Sequence, residues 1–77
     1  MGLTVVINGR ERKLDQLSGT CGLPVLLAAL ELKADRVAVE LNGAICSRAG
    51  WDQTKVSSGD RLEIVHFVGG GAFSRAT

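Results

Sequence analysis

Three consecutive glycines, Gly69-Gly70-Gly71, come directly after the apolar run Val65-His66-Phe67-Val68, and Ala72 to Thr77 follow them. The chemistry such a stretch carries is that of its backbone. Without Cβ atoms it takes almost any φ/ψ, so it can thread a channel too narrow for side chains. Its reactive group would be a carbonyl, offered as a terminal carboxylate to another protein's active site. Inside a chain, the same three glycines signal a turn or a linker. His66 could act as a general base beside that carbonyl, but a plain strand residue is the simpler reading. Cys21 and Cys46 could in principle pair, yet they read as small apolar residues of a reducing compartment. With only His66 to join them, and no close Cys or His spacing, they make no zinc site.

Seventy-seven residues allow one domain, near the lower limit for a self-sufficient core. A catalytic cleft is hard to fit beside such a core, which disfavours an independent enzyme. The chain is 45% hydrophobic with a net charge of +1, the balance of a folded globule. Its basic residues are scattered, Arg10, Arg12 and Lys13 forming the one cluster, so no nucleic-acid footprint emerges. No apolar run reaches the ~20 residues of a membrane span. Met1 to Ile7 lacks the basic start of a secretion signal. The expected setting is the cytoplasm, without metal or membrane.

The positioning elements follow from periodicity. Leu3, Val5 and Ile7 alternate with Thr4 and Val6, a strand. Asn8-Gly9 is the strongest short hairpin signal, since both central positions of a type I′ turn need positive φ. The return strand, about Glu11 to Leu14, is polar as an edge should be. Asp15 to Gly22 reads as a loop. Leu23, Leu26, Leu27 and Leu30 then make one helical stripe, with Pro24 in the first turn and an end near Lys33. Val37, Val39 and Leu41 form another strand, and Asn42-Gly43 turns the chain into Ala44 to Cys46. Ser47 to Ser58 reads as irregular, pinned by Trp51. Ser58-Gly59-Asp60 is a tight turn into the last strand, Arg61 to Val68, with Leu62 and Ile64 facing the helix.

The order ββαββ with one amphipathic helix has a known solution in the α+β class. The first and last strands lie parallel at the centre, each hairpin widens the sheet, and the helix crosses one face. That is the β-grasp, or ubiquitin-like, fold, spanning residues 1–68. Alternation along the last strand turns Val65 and Phe67 away from the helix. With Val68 they form the expected docking surface for a partner; alternatively, Phe67 folds back to cap the sheet. Arg48 and Glu40 read as solvated positions. Gly69 onward is expected to lack regular hydrogen bonds.

The chain resembles the ThiS family, the sulfur carriers of bacterial thiamine (thiazole) biosynthesis. The resemblance rests on Val39-Glu40-Leu41-Asn42-Gly43, the Arg48 to Trp51 spacing, Gly59-Asp60-Arg61-Leu62-Glu63-Ile64 and the closing Val65 to Gly71, and covers residues 3 to 71. It implies that a ThiF-like adenylyltransferase, similar to the ubiquitin-activating enzymes, joins the terminal glycine carboxylate to AMP from ATP. Sulfur from a cysteine desulfurase-derived persulfide then displaces AMP. The resulting thiocarboxylate delivers sulfur to thiazole synthase. On this resemblance Gly71 bears the sulfur, Gly69 and Gly70 keep the arm slim, and the chain is a cosubstrate without cofactor or catalytic residues of its own.

The departure from the family is at residues 72–77, because the family's chains stop at the glycines and an amide at Gly71 cannot be adenylated. A processing protease that exposes Gly71 would reconcile the two. The extension could instead be a cloning remnant, or mark a protein that has left thiamine synthesis. A carrier for molybdopterin or cysteine, and a non-covalent ubiquitin-like interaction module, are the other functions the sequence accommodates.

Overall fold

The computed structural model describes residues 2–68 and 72–75 of the chain. Strand β1 (Leu3–Ile7) buries Leu3, Val5 and Ile7 and leaves Thr4 and Val6 half-exposed, as strand alternation requires. It turns through Asn8 (φ 52°) and Gly9 (φ 84°) into β2 (Arg10–Leu14), whose buried residue is Leu14 alone. The register Leu3↔Leu14 to Ile7↔Arg10 closes a two-residue hairpin. A second one joins β4 (Val37–Leu41) to β5 (Ala44–Cys46) through Asn42 (φ 51°) and Gly43 (φ 86°). Both Asn-Gly pairs therefore adopt the doubly positive φ that the sequence predicts.

Helix α1 (Leu23–Ala29) carries Pro24 in its first turn and buries Leu23, Leu26 and Leu27. It stops short of the expected end near Lys33. Glu31 sits at φ 61°, while its N–H donates to the Ala28 carbonyl and that of Leu32 to the Leu27 carbonyl. This is a Schellman closure built on glutamate where glycine is usual. It returns Leu32 to the core instead of carrying it round the helix. Without glycine there, the sequence held no stop signal.

Two segments read as irregular contain short strands. Residues Thr20–Gly22 (β3) pair antiparallel with Lys55–Ser57 (β6), in a small second sheet that braces the entrance of α1. Three residues are too few for alternation to register. Between β5 and β6, a 3₁₀ turn over Arg48–Gln53 buries Trp51, whose Nε1 donates to the Cys46 carbonyl at 2.9 Å.

Strand β7 (Arg61–Val68) completes the main sheet in the order β2-β1-β7-β4-β5. It is parallel to β1 and antiparallel to β4, so the first and last long strands lie together at the centre. Leu62 and Ile64 join the helix leucines and Trp51 in one core. The architecture is the expected β-grasp.

The expectation for the tail is overturned in part. Ala72–Arg75 forms a further strand, β8, antiparallel to β7 in the register Val65↔Arg75 to Val68↔Ala72. The reason is an open edge. Strand β1 pairs with β7 only at Arg61 and Leu62, which leaves the far end of that edge unpaired by β1. Such an edge accepts any strand within reach. Gly69, Gly70 and Gly71 lie outside the described residues.

Replacing Glu31 with Gly is expected to raise stability by about 1 kcal/mol, because the left-handed position costs an L-residue roughly that much. A helix running on to Lys33 would instead lose about 1 kcal/mol. Urea unfolding with an unchanged m-value separates the two signs.

Candidate functional site

The candidate site is the end of β7, and what matters there is how firmly the strand is held. Its start is fixed from both sides. The Asp60 carbonyl accepts from the Val6 N–H at 3.0 Å, and the Leu62 carbonyl accepts from the Asn8 N–H at 2.9 Å. On the other side the Asn42 N–H donates to the Arg61 carbonyl at 2.7 Å. Both turn asparagines then add their side chains. Asn42 accepts from the Arg61 N–H through Oδ1 (2.9 Å) and donates to Asp60 Oδ1 through Nδ2 (3.1 Å). The other Asp60 oxygen accepts from the Ser57 N–H at 2.8 Å, closing the turn at Gly59 (φ 95°).

Asn8 makes the more consequential pair. Its Oδ1 accepts from the Ile64 N–H at 2.8 Å and its Nδ2 donates to the Ile64 carbonyl at 3.0 Å. A side-chain amide here imitates one residue of a neighbouring strand, at the point where β1 has ended. Sequence reasoning found Asn8 and Asn42 as turn residues and missed this second use. The signal available was asparagine rather than aspartate at both turns, since a carboxylate could accept from an N–H but not donate to a carbonyl.

Arg48 lies at the surface, as expected, and has partners that the sequence did not reveal. It is exposed, yet its guanidinium Nη2 donates to the Val37 carbonyl at 3.0 Å and lies 5.0 Å from the centre of the Trp51 ring. It thereby ties the start of β4 to the core, and Val37 stands opposite His66. Glu40 is exposed, as expected.

Val65 lies on the sheet face away from the helix, as alternation predicts. With Ala38, Glu40, Ile45 and Glu63 it lines a shallow hollow of about 160 Å³. Ile45, 82% exposed, is its apolar rim. Phe67 and Val68 continue β7 towards the glycines. The expected docking residues thus share one strand, and the arm residues Gly69 to Gly71 lie outside the described region.

Little else in the described residues offers chemistry. No group of three or more His, Cys, Asp and Glu side chains gathers there. Cys21 and Cys46 are both free thiols. Burial pushes the Cys21 thiol up, more than the nearby Lys55 charge draws it down, so it stays protonated and a weak nucleophile near neutral pH. No described helix is long and apolar enough to cross a membrane.

Comparison with known proteins places these features. A family model described as the ThiS family matches residues 5–71, ending on the third glycine. The sulfur carrier protein ThiS of Bacillus subtilis is 37% identical over 65 residues, covering 84% of this chain and 96% of that one. A thiazole synthase of Paramagnetospirillum magneticum is 40% identical over 70 residues, 91% of this chain, but the chain spans only 21% of that protein. The crystal structure of a thiamine biosynthesis protein (ThiS) from Geobacter metallireducens superposes with a TM-score of 0.77 at 36% identity. It covers 90% of this chain and all of its own.

Asn8→Gly keeps the turn geometry and removes both side-chain bonds to Ile64. It is expected to cost about 1–3 kcal/mol of stability and to speed hydrogen exchange at the Ile64 amide. Unchanged exchange there would show that β7 is held without this clamp.

Proposed function

The chain belongs to the ThiS family, the small sulfur carriers of thiamine biosynthesis, and we propose that it carries its sulfur on the carbonyl of Gly71. The observation that carries this reading is the coincidence of two limits. The family match ends at Gly71, and the clamped strand β7 ends three residues before it. In this reading residues 1–68 are the handle, residues 69–71 the arm, and residues 72–77 an extension removed by a processing protease. Hydrolysis of the 71–72 amide adds one water, leaving a carboxylate on Gly71 and an ammonium on Ala72.

A carboxylate is a poor electrophile, so it must be activated. One oxygen attacks the α-phosphorus of ATP on a ThiF-like adenylyltransferase, expelling pyrophosphate and forming an acyl adenylate. The terminal sulfur of a persulfide then attacks the acyl carbon and AMP leaves. A second thiol cleaves the resulting acyl disulfide, giving a thiocarboxylate and a disulfide. Thiazole synthase accepts the sulfur, and the carboxylate returns. The partners supply every acid and base. The glycines supply a narrow approach, because any Cβ would widen the thread. ATP and reduced thiols place the cycle in the cytoplasm.

Val65, Phe67 and Val68 are the docking residues of this proposal. The hollow beside Val65 and the exposed Ile45 give a partner an apolar foothold next to the arm. The pairing of β8 favours one rival, a non-covalent ubiquitin-like module that never uses its terminus, because β8 is part of the sheet.

The two readings separate cleanly. A chain ending at Gly71, given ATP, an adenylyltransferase and a sulfur donor, should gain the mass difference of sulfur for oxygen. Gly71→Ala in that chain should slow the gain ~100-fold through misplacement of the reacting carbon. A module would show neither effect and would keep its partner when the arm is deleted. In native cells, mass spectrometry should find chains ending at Gly71; only uncut chain under all growth conditions would count against processing.

A further inference from the structure

The edge that β8 occupies can be identified from the two ladders of β7. Val65 and His66 pair with Ala38 and Val37 of β4, and at the same time with Arg75 and Ser74 of β8. Strand β8 must therefore lie on the opposite edge, the one β1 shares lower down. Asn8 marks that edge too, since it holds both backbone groups of Ile64. Backbone groups alternate sides along a strand. His66 and Val68 thus point the same way as Ile64, towards Ser74 and Ala72, which stand opposite them. The edge of β7 is consequently filled without a gap, by β1, then by the Asn8 amide, then by β8.

We propose that residues 72–75 are a built-in mask, which closes the β1-side edge of β7 at Val65–Val68 until the extension is removed. The inference rests on the carrier reading above and adds a regulatory role for the extension. While β8 is paired, no partner can add a strand to this edge, the common way in which sheets recognise extended chains. The nitrogen of the 71–72 peptide bond belongs to Ala72, directly opposite Val68 in the ladder. A protease that binds its substrate extended must first unpair β8. Cutting after Gly71 then removes the occupant and opens the edge together with the arm. Activation by an adenylyltransferase is thereby confined to processed chains by two means, the blocked carboxylate and the occupied edge.

Hydrogen exchange on the full chain and on a chain ending at Gly71 tests the mask without any enzyme or sulfur. The amides of His66 and Val68 should exchange at least about tenfold more slowly in the full chain. The Val65 amide, which points to β4, should be equally protected in both and so reports that the fold is intact. In the full chain, Ser74→Pro removes the N–H opposite His66. It should abolish the extra protection, and speed cleavage between Val68 and Arg75 by proteinase K about tenfold. Equal exchange of His66 and Val68 in the full and shortened chains would overturn the proposal, as would a Ser74→Pro chain that keeps their protection. A shortened chain that loses the protection yet takes up no sulfur would uphold the mask and sink the carrier reading.

Discussion

One backbone strand, β7, sets the terms for the whole molecule. It is the longest, with eight residues, and it has a neighbour on either side. A central strand must satisfy its donors and acceptors along both edges or leave them unpaired in a partly apolar setting. Strand β4 serves one edge from Leu41 up to Val37. The other is shared, because β1 turns away into its hairpin after Ile7. The side chain of Asn8 satisfies Ile64 where that turn begins. A residue chosen for its left-handed φ thus also finishes the ladder. Burial of Leu62 and Ile64 beneath α1 depends on β7 being seated this way, with no freedom to slip by one residue.

In the proposed function the same seating makes the small domain a handle. Strand β7 is tied by β1, β4 and two asparagines, and the three glycines follow it directly in sequence. Arg48 extends the bracing to the start of β4, opposite His66, through the Val37 carbonyl and the Trp51 ring. Under the proposed function the reactive group lies on the backbone, and the fold need supply only this rigidity and a surface to be grasped. In the proposed function, adenylation and sulfur chemistry belong to larger partners with room for clefts.

Strand β8 complicates the picture of a freely projecting arm. The open upper edge of β7 makes its own demand for pairing, and a short segment on the far side of three glycines meets it. In the processing proposed above, a bare tail and a filled edge are alternatives separated by one peptide bond. The extension is not a neutral appendage on this view, since its presence changes which backbone groups β7 offers to other proteins.

Much of this was legible in the chain itself. Alternating β-branched residues, two Asn-Gly turns and one leucine stripe determine the ββαββ order, because side-chain period and turn φ are local properties. The glycine run and the residues around it point to the family, which the match over residues 5–71 shows. What local patterns could not carry was decided by packing. Thr20–Gly22 and Lys55–Ser57 become strands only because each finds the other. Glu31 takes a glycine's place at the helix end because Leu32 gains a seat against the core. Asn8 and Arg48 acquire their partners 56 and 11 residues away. Strand β8 exists because β1 is shorter than β7, a mismatch that appears only when the two lie side by side.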